Sequence, residues 1–362
     1  MSYIVTIETA VPRFCHEQKE ITSFFVHSSK DESTKRKLEY ISKKSGINTR
    51  YSIINDFSSK ENNTVLFHKT NDSERISSLT QRMELYKENA LPLALEAIHK
   101  IKNIENHKKA ITHIITVSCT GLFAPGLDIE LIEQLNLKPN IQRSSVNFMG
   151  CNAAILALKN ADAICKSTPN ALVLIVCVEL CTIHFQNNST DDFILSNTLF
   201  GDGAAAVLVS SNPDEEADSK NIQITSFDSL IISKGKNDMA WRLSETGFIM
   251  NLTSYVSELI NGNIKEFLKD ISLDKTTVDH WAIHPGGKKI VDSFAEALNL
   301  TTSQLQSAYD VLENYGNMSS PTILFVLKQV IERNVNAQKG ETIFAAAFGP
   351  GLSIETMQLQ YV

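Results

Sequence analysis

The sequence predicts an α/β protein made of two copies of one unit, and three observations point there. A β-rich strand over residues 111–118 ends at Cys119-Thr120-Gly121 and is followed by an apolar helix reached through Gly150-Cys151. Beyond the polar run Asn212-Pro213-Asp214-Glu215-Glu216-Ala217-Asp218, a second strand over 278–283 ends at His284-Pro285-Gly286-Gly287, and a helix opened by Tyr315-Gly316-Asn317-Met318 follows. The spacings agree, with 32 residues from Cys119 to Cys151 and 33 from His284 to Asn317. Like elements at like spacing mark a duplicated unit. The turn-forming run sets the boundary, giving an N-terminal half over 1–211 and a C-terminal half over 222–362.

Taken in order, residues 3–8 read as a strand, and Pro12 separates them from helical spacing over 18–26. A basic stretch follows, in which Lys35, Arg36, Lys37, Lys43, Lys44 and Arg50 cluster up to Tyr51. Such charges are either a solvated helix face or a dock for the phosphates of a nucleotide-like carrier, with Lys as point charge and Arg as fork. Spacing alone favours the solvated face. Residues 53–75 are polar and turn-rich, and an amphipathic helix spans 78–101. Helical spacing over 128–135 follows the first strand of the repeat. Residues 153–164 are apolar on nearly every face, which places that helix inside a core. A strand over 171–177 comes next, and the turn Leu199-Phe200-Gly201-Asp202-Gly203 feeds another that runs to Val209. In the second half the helix beyond Asn317 runs to about residue 331, and strands over 342–347 and 352–359 flank Phe348-Gly349-Pro350-Gly351.

A chain of 362 residues with 43% hydrophobic content can bury a large core. Its formal charge of -7 gives no electrostatic reason to expect nucleic acid or an anionic membrane as partner. Six cysteines without paired metal-ligand spacing read as reduced thiols of a cytoplasmic protein, with no disulfide and no zinc. The first residues start a strand rather than a basic leader, and no apolar run is long enough to span a bilayer.

Cys151 stands at the mouth of the buried helix, where unpaired N–H groups and the helix dipole favour thiolate over thiol. Free cysteine is also a common small core residue. Packing two pseudo-symmetric halves together brings Cys151, His284 and Asn317 to a shared interface. A thiol, an imidazole and an amide together make an activated sulfur nucleophile with a base and an orienting donor. Taken singly, His284 reads equally as a satisfied core histidine and Asn317 as a helix cap.

At these residues the chain resembles the type III polyketide synthases, the chalcone-synthase-like branch of the thiolase-fold condensing enzymes. The pieces, in order, are Gly150-Cys151, Phe200-Gly201-Asp202-Gly203-Ala204-Ala205-Ala206, Ile283-His284-Pro285-Gly286-Gly287, Tyr315-Gly316-Asn317-Met318-Ser319-Ser320 and Phe348-Gly349-Pro350-Gly351. The resemblance implies a thiolase-like fold of two βαβαβαββ halves in α-β-α-β-α layers, acting as a cytoplasmic homodimer. It implies that Cys151 carries the acyl chain as a thioester while His284 and Asn317 hold the thioester carbonyl of malonyl-CoA. Lys44, Arg50, Gly286 and Gly287 fall where the family contacts CoA, which reverses the preference for a solvated face. Phe200 and Met250 correspond to gatekeepers, and Cys119, Thr120, Ala124, Cys181, His184, Trp241 and Ser319 to the cavity wall. Gly349-Pro350-Gly351 corresponds to a structural loop, with Ala347 in place of its first glycine.

The implied reaction needs acyl-CoA and malonyl-CoA but no metal or redox cofactor, because an enolate oxygen can be held by an imidazole N–H and an amide N–H. His284 as imidazolium is expected to keep Cys151 ionised before loading. Met250 in place of a second phenylalanine suggests an aliphatic starter extended to an alkylpyrone or alkylresorcinol, whereas Trp241 argues for small starters and a compact aromatic. The nearest rival is a ketoacyl synthase fed by acyl carrier protein, which usually shows His-Gln-Ala-Asn where His284-Pro285-Gly286-Gly287 stands. A papain-like protease shares the order Cys, His, Asn but not the local cysteine signature.

Overall fold

The computed structural model describes residues 1–58, 64–67, 77–186, 188–213, 221–253 and 255–362. The N-terminal half runs β1 (Ser2–Ala10), β2 (Phe14–Glu17), α1 (Gln18–Ser28), α2 (Glu32–Lys44), β3 (Thr49–Ser52), α3 (Leu79–His99), α4 (Ile104–Lys108), β4 (His113–Ser118), α5 (Leu127–Gln134), β5 (Gln142–Asn147), α6 (Ala153–Ser167), β6 (Leu172–Leu180), α7 (Asp191–Leu199) and β7 (Asp202–Ser210). The C-terminal half runs β8 (Ile222–Ile231), β9 (Met239–Ser244), β10 (Gly247–Leu252), α8 (Val256–Asp270), β11 (His280–Ile283), α9 (Lys288–Leu298), α10 (Gln306–Tyr315), α11 (Thr322–Arg333), β12 (Thr342–Gly349) and β13 (Ser353–Tyr361). Asp214 to Asp218 of the expected linker lie outside the described residues, as do residues 59–63 and 68–75 of the polar stretch.

The duplication is visible in the sheet. Nine strands run in the order β11-β12-β13-β8-β1-β7-β6-β4-β5. In one half β4 pairs parallel with β6, β6 antiparallel with β7 and β7 antiparallel with β1. In the other, β11, β12, β13 and β8 repeat that sequence of directions. Only Ser2–Ile4 of β1 and Ile222–Ile224 of β8 join the two sets. β4 and β6 are buried at every position, as strands covered on both faces are; β6 is apolar except for Glu179, while β4 also buries His113, Thr116 and Ser118.

Two helices fill the space between the halves. The alanine-rich face of α6 packs on β4, β6 and β7 and also reaches β12 and β13, while α11 packs on β11 and β12 and also on β1 and β7. Small side chains permit that double contact. α3 covers β1, β6 and β7 from outside, and its start is fixed by a capping box between Ser78 and Gln81. Among the described residues no helix is long and apolar enough to cross a membrane.

Two expectations need correction. The helix beyond Asn317 begins only at Thr322, because Gly316 and Ser319 have positive φ (68° and 59°) and the helix starts after Pro321. Asn317 is therefore on an irregular strap, not at a helix start. The hairpin β9–β10 was not foreseen, although it carries Trp241 and Met250 opposite one another.

Candidate active site

Cys151 is delivered by a sharp turn between β5 and α6. Gly150 has φ +85°, and a Cβ there would lie 2.0 Å from Cδ of Pro350, so glycine is needed for both conformation and space. Pro350 belongs to the loop closing β12, and a Cβ on Gly349 would lie 2.5 Å from Oδ1 of Asn152. The Gly349-Pro350-Gly351 loop of one half is thus wedged against the nucleophile turn of the other. Cys151 precedes α6, whose N-cap is Asn152, so it is outside the first helical turn where the sequence reading put it.

The strap carrying Asn317 comes from the second half. Its main chain donates to Leu199 O and accepts from Gly201 N, both at 2.9 Å. The side-chain Nδ2 donates to Gly286 O at 3.3 Å, and Oδ1 accepts from Ser319 N at 2.8 Å. This fixes the amide 4.0 Å from Cys151 Sγ. His284 follows β11, with its N–H donated to Ala346 O at 2.9 Å, and a Cβ on Gly286 would lie 3.6 Å from its Nε2. The His284 ring is 1% exposed, yet neither nitrogen has a hydrogen-bond partner. A buried histidine with both nitrogens unpaired calls for an explanation, and a catalytic role is one.

The charge state differs from the expected ion pair. Burial pushes the Cys151 thiol up to about 11, and contacts with Ser319 and Asn317 pull it down only in part. Burial pushes the His284 imidazole down to about 3. Burial thus favours the neutral thiol and the neutral imidazole.

Beside the thiol lies a cavity of about 30 Å³, lined by Cys119, Thr120, Gly150, Cys151, Cys181, Phe200, Met239, Trp241, Met250, Ser319 and Pro350. Trp241 Nε1–H donates to Cys119 O at 2.7 Å and holds the indole across it. His184 does not line the cavity. It stacks on Phe248 at 4.4 Å between centroids, its Nδ1 accepts from Phe248 N–H at 3.1 Å, and its Nε2–H donates to Thr120 O at 2.7 Å. Its ring stands behind Trp241, edge to face, and fastens the hairpin in place. Ala124 is exposed and stands outside this chain's own cavity, as a residue whose family counterpart reaches into the partner's cavity would.

Residues 1–213 match the sequence family of chalcone and stilbene synthases, N-terminal domain, and residues 223–362 match the C-terminal domain of the same family. The chain belongs to the chalcone and stilbene synthase family. Its relatives include an alpha-pyrone synthesis polyketide synthase-like protein of Mycobacterium tuberculosis, 29% identical over 99% of this chain and 90% of that one. A probable polyketide synthase of Dictyostelium discoideum is 28% identical over 100% of this chain but only 11% of its own length. Among solved structures, PKS-I of the brown alga Ectocarpus siliculosus superposes with a TM-score of 0.92 at 28% identity, covering 100% and 98% of the two chains. The C-terminal type III polyketide synthase domain of the Dictyostelium hybrid Steely1 gives 0.87 at 25% identity, covering 100% and 99%. The chain is thus a type III polyketide synthase of thiolase-like fold, an acyl-transferring, malonyl-CoA-dependent condensing enzyme, and the protease and fatty-acid readings fall away.

For this synthase one sequence assignment changes. Arg50 is not a CoA contact: it is 1% exposed, and its guanidinium is bonded to Gln18, Asn197 and Phe200 inside the protein. Lys44 is exposed, and Gly46 beside it packs on Lys288 just beyond Gly286-Gly287, so these segments meet at the surface. Gly286 also offers its carbonyl to Asn317.

One residue of the synthase was missed. Glu179 is fully buried and accepts from Cys119 N at 2.9 Å, Thr120 Oγ1 at 2.8 Å and Ser320 Oγ at 2.6 Å. Burial pushes its carboxyl up to about 7 despite those bonds. It ties the Cys119 turn of one half to the strap of the other. The available signal was a single acid within the otherwise apolar run Leu172–Leu180.

Proposed function

We propose that Cys151 takes an acyl group from acyl-CoA, its thiol proton passing by way of His284 to the departing CoA sulfur, that His284 and Asn317 then bind malonyl-CoA, and that Phe200 gates the cavity. The malonyl thioester oxygen accepts N–H bonds from both residues. CO2 leaves with its bonding pair left as an enolate, the enolate carbon attacks the Cys151 thioester, and the Cys151 sulfur departs with the lengthened chain now on CoA. Fixed N–H donors in a dry site supply the charge stabilisation, so the scheme calls for no cofactor. The observation that supports it is the Asn317 amide held 4.0 Å from Cys151 Sγ and bonded to Gly286 O, two residues after the buried His284 ring whose nitrogens are both unpaired. Malonyl-CoA alone should be decarboxylated by the native protein, and Asn317→Ala should slow this about 10²–10³-fold while Cys151 still accepts an alkylating agent. Full decarboxylation by that variant would sink the assigned role.

On product size, the Trp241 indole held across the cavity beside Cys151 favours small starters, acetyl or malonyl units, and a compact pyrone or aromatic. The second reading, an aliphatic starter giving an alkylpyrone or alkylresorcinol, rests on the flexible walls Met239 and Met250. A panel of acyl-CoA starters read by product mass separates them. We also place the enzyme in the cytoplasm as a homodimer: β5 is an exposed edge strand, and Met149 and Leu122 beside it are 47% and 45% exposed. Light scattering that returns a particle of the 40.2 kDa chain mass would remove the dimer.

A further inference from the structure

Among the described residues the buried Arg50 makes no hydrogen bond or ion pair to a carboxylate, although the charge of Asp202 acts on it, and its partners explain why it is there. Nη1 donates to Asn197 O at 2.8 Å and to Phe200 O at 2.6 Å, and Nε donates to Gln18 Oε1 at 2.8 Å. Gln18 Nε2 in turn donates to Thr198 O at 2.8 Å, and Asn317 N donates to Leu199 O. The carbonyls of 197, 198, 199 and 200, which the end of α7 leaves without helical partners, are thus all taken, with a cation at the negative end of the helix. Burial draws the guanidinium down to about 9, and the nearby charge of Asp202 opposes that in part.

What leaves α7 is the site itself. Phe200, at the cavity, is the residue whose carbonyl Arg50 holds, and Gly201 N donates to Asn317 O. The methylenes of Arg50 also fill the space between the two segments: a Cβ on Gly316 would lie 2.9 Å from Arg50 Cδ and Cγ, and one on Gly201 would lie 3.5 Å from Arg50 Cβ. We propose that Arg50 is a positioning residue for malonyl-CoA decarboxylation, fixing Phe200 and Asn317 as one rigid unit across the two halves. It acts through their main chains and touches no substrate. This rests on the condensing role given above to Asn317.

The experiment compares native protein with Arg50→Met, which keeps the methylenes and removes the fork, and Arg50→Lys, which keeps the charge with one donor group. Small misplacement of a reacting group costs up to about 10²-fold. Arg50→Met should therefore lower kcat for malonyl-CoA decarboxylation about tenfold or more, with Arg50→Lys between it and native. The KM for malonyl-CoA, its salt dependence and the rate of Cys151 alkylation should stay within about twofold. Hydrogen exchange at the Gly201 and Asn317 amides should quicken in both variants whether or not malonyl-CoA is turned over. A raised, salt-sensitive KM with kcat unchanged would overturn the proposal in favour of a phosphate contact, and so would unchanged exchange in a folded variant. Should Arg50→Met fail to fold, Gln18→Met removes one acceptor of the same clamp and should shift kcat and exchange in the same direction; no shift in either overturns it. Failure of the condensing reading would show in the native protein, which would then leave malonyl-CoA intact while the exchange result still stands.

Discussion

Trp241 and Cys119 are joined by a 2.7 Å hydrogen bond from indole Nε1–H to main-chain carbonyl, so the bulkiest wall of the cavity is pinned to the turn that backs the nucleophile. Trp241→Gly removes both the indole and the pin. The variant should accept starters several methylenes longer than the native enzyme does, since pocket selection is worth about 1–3 kcal/mol per methylene. Product masses from an acyl-CoA panel check this, and an unchanged upper length would place the limiting wall elsewhere.

Alkylation of Cys151 reports its ionisation. With burial holding the thiol at about 11, the rate with a neutral alkylating agent should still be climbing above pH 9 in the empty enzyme. A plateau below pH 8 would restore the ion pair with His284. Cys151→Ala should abolish label and product while leaving the protein folded.

Glu179 gives a pH dependence of stability. Its carboxyl sits at about 7 in the folded protein against 4.5 ordinarily, so between those values the folded state holds the extra proton and stability falls as pH rises. The penalty is absent below about 4.5 and complete above about 7. Glu179→Gln keeps the shape and removes the titration. Relative to native, its thermal midpoint should therefore rise on going from pH 5 to pH 8, and a pH-independent difference would show that the carboxyl does not titrate there.

Gly150→Ala should be severe. The new methyl would meet Pro350 at 2.0 Å with φ at +85°, and the fixed proline ring cannot swing aside. Overpacking of this kind costs about 1–3 kcal/mol, and the shift falls on the residue before the nucleophile. Thermal unfolding and alkylation of Cys151 should both change; native behaviour in both would mean that the loop yields freely.

What the sequence made legible was whatever is locally encoded. The largely apolar run of β6 and the alanine-rich α6 announce burial by themselves, and the glycine at 150 announces a turn. The strap at Asn317 was misread as helix because helical spacing resumes just beyond it; Ser319-Ser320-Pro321 was the local sign of the later start. Arg50 was misread because what buries it is the end of α7, about 150 residues away, and a charge carries no local mark of being enclosed. His184 was placed in the wall when it stands behind it, since its partners Thr120, Phe248 and Trp241 come from three separate segments.

The two unpaired nitrogens of His284 set durability against activity. Each is a buried polar atom that no protein group pairs among the described residues, so the enzyme is less robust than its packing allows. A search for heat-tolerant variants that does not also score turnover should therefore collect apolar replacements at 284, sturdier proteins that no longer condense anything.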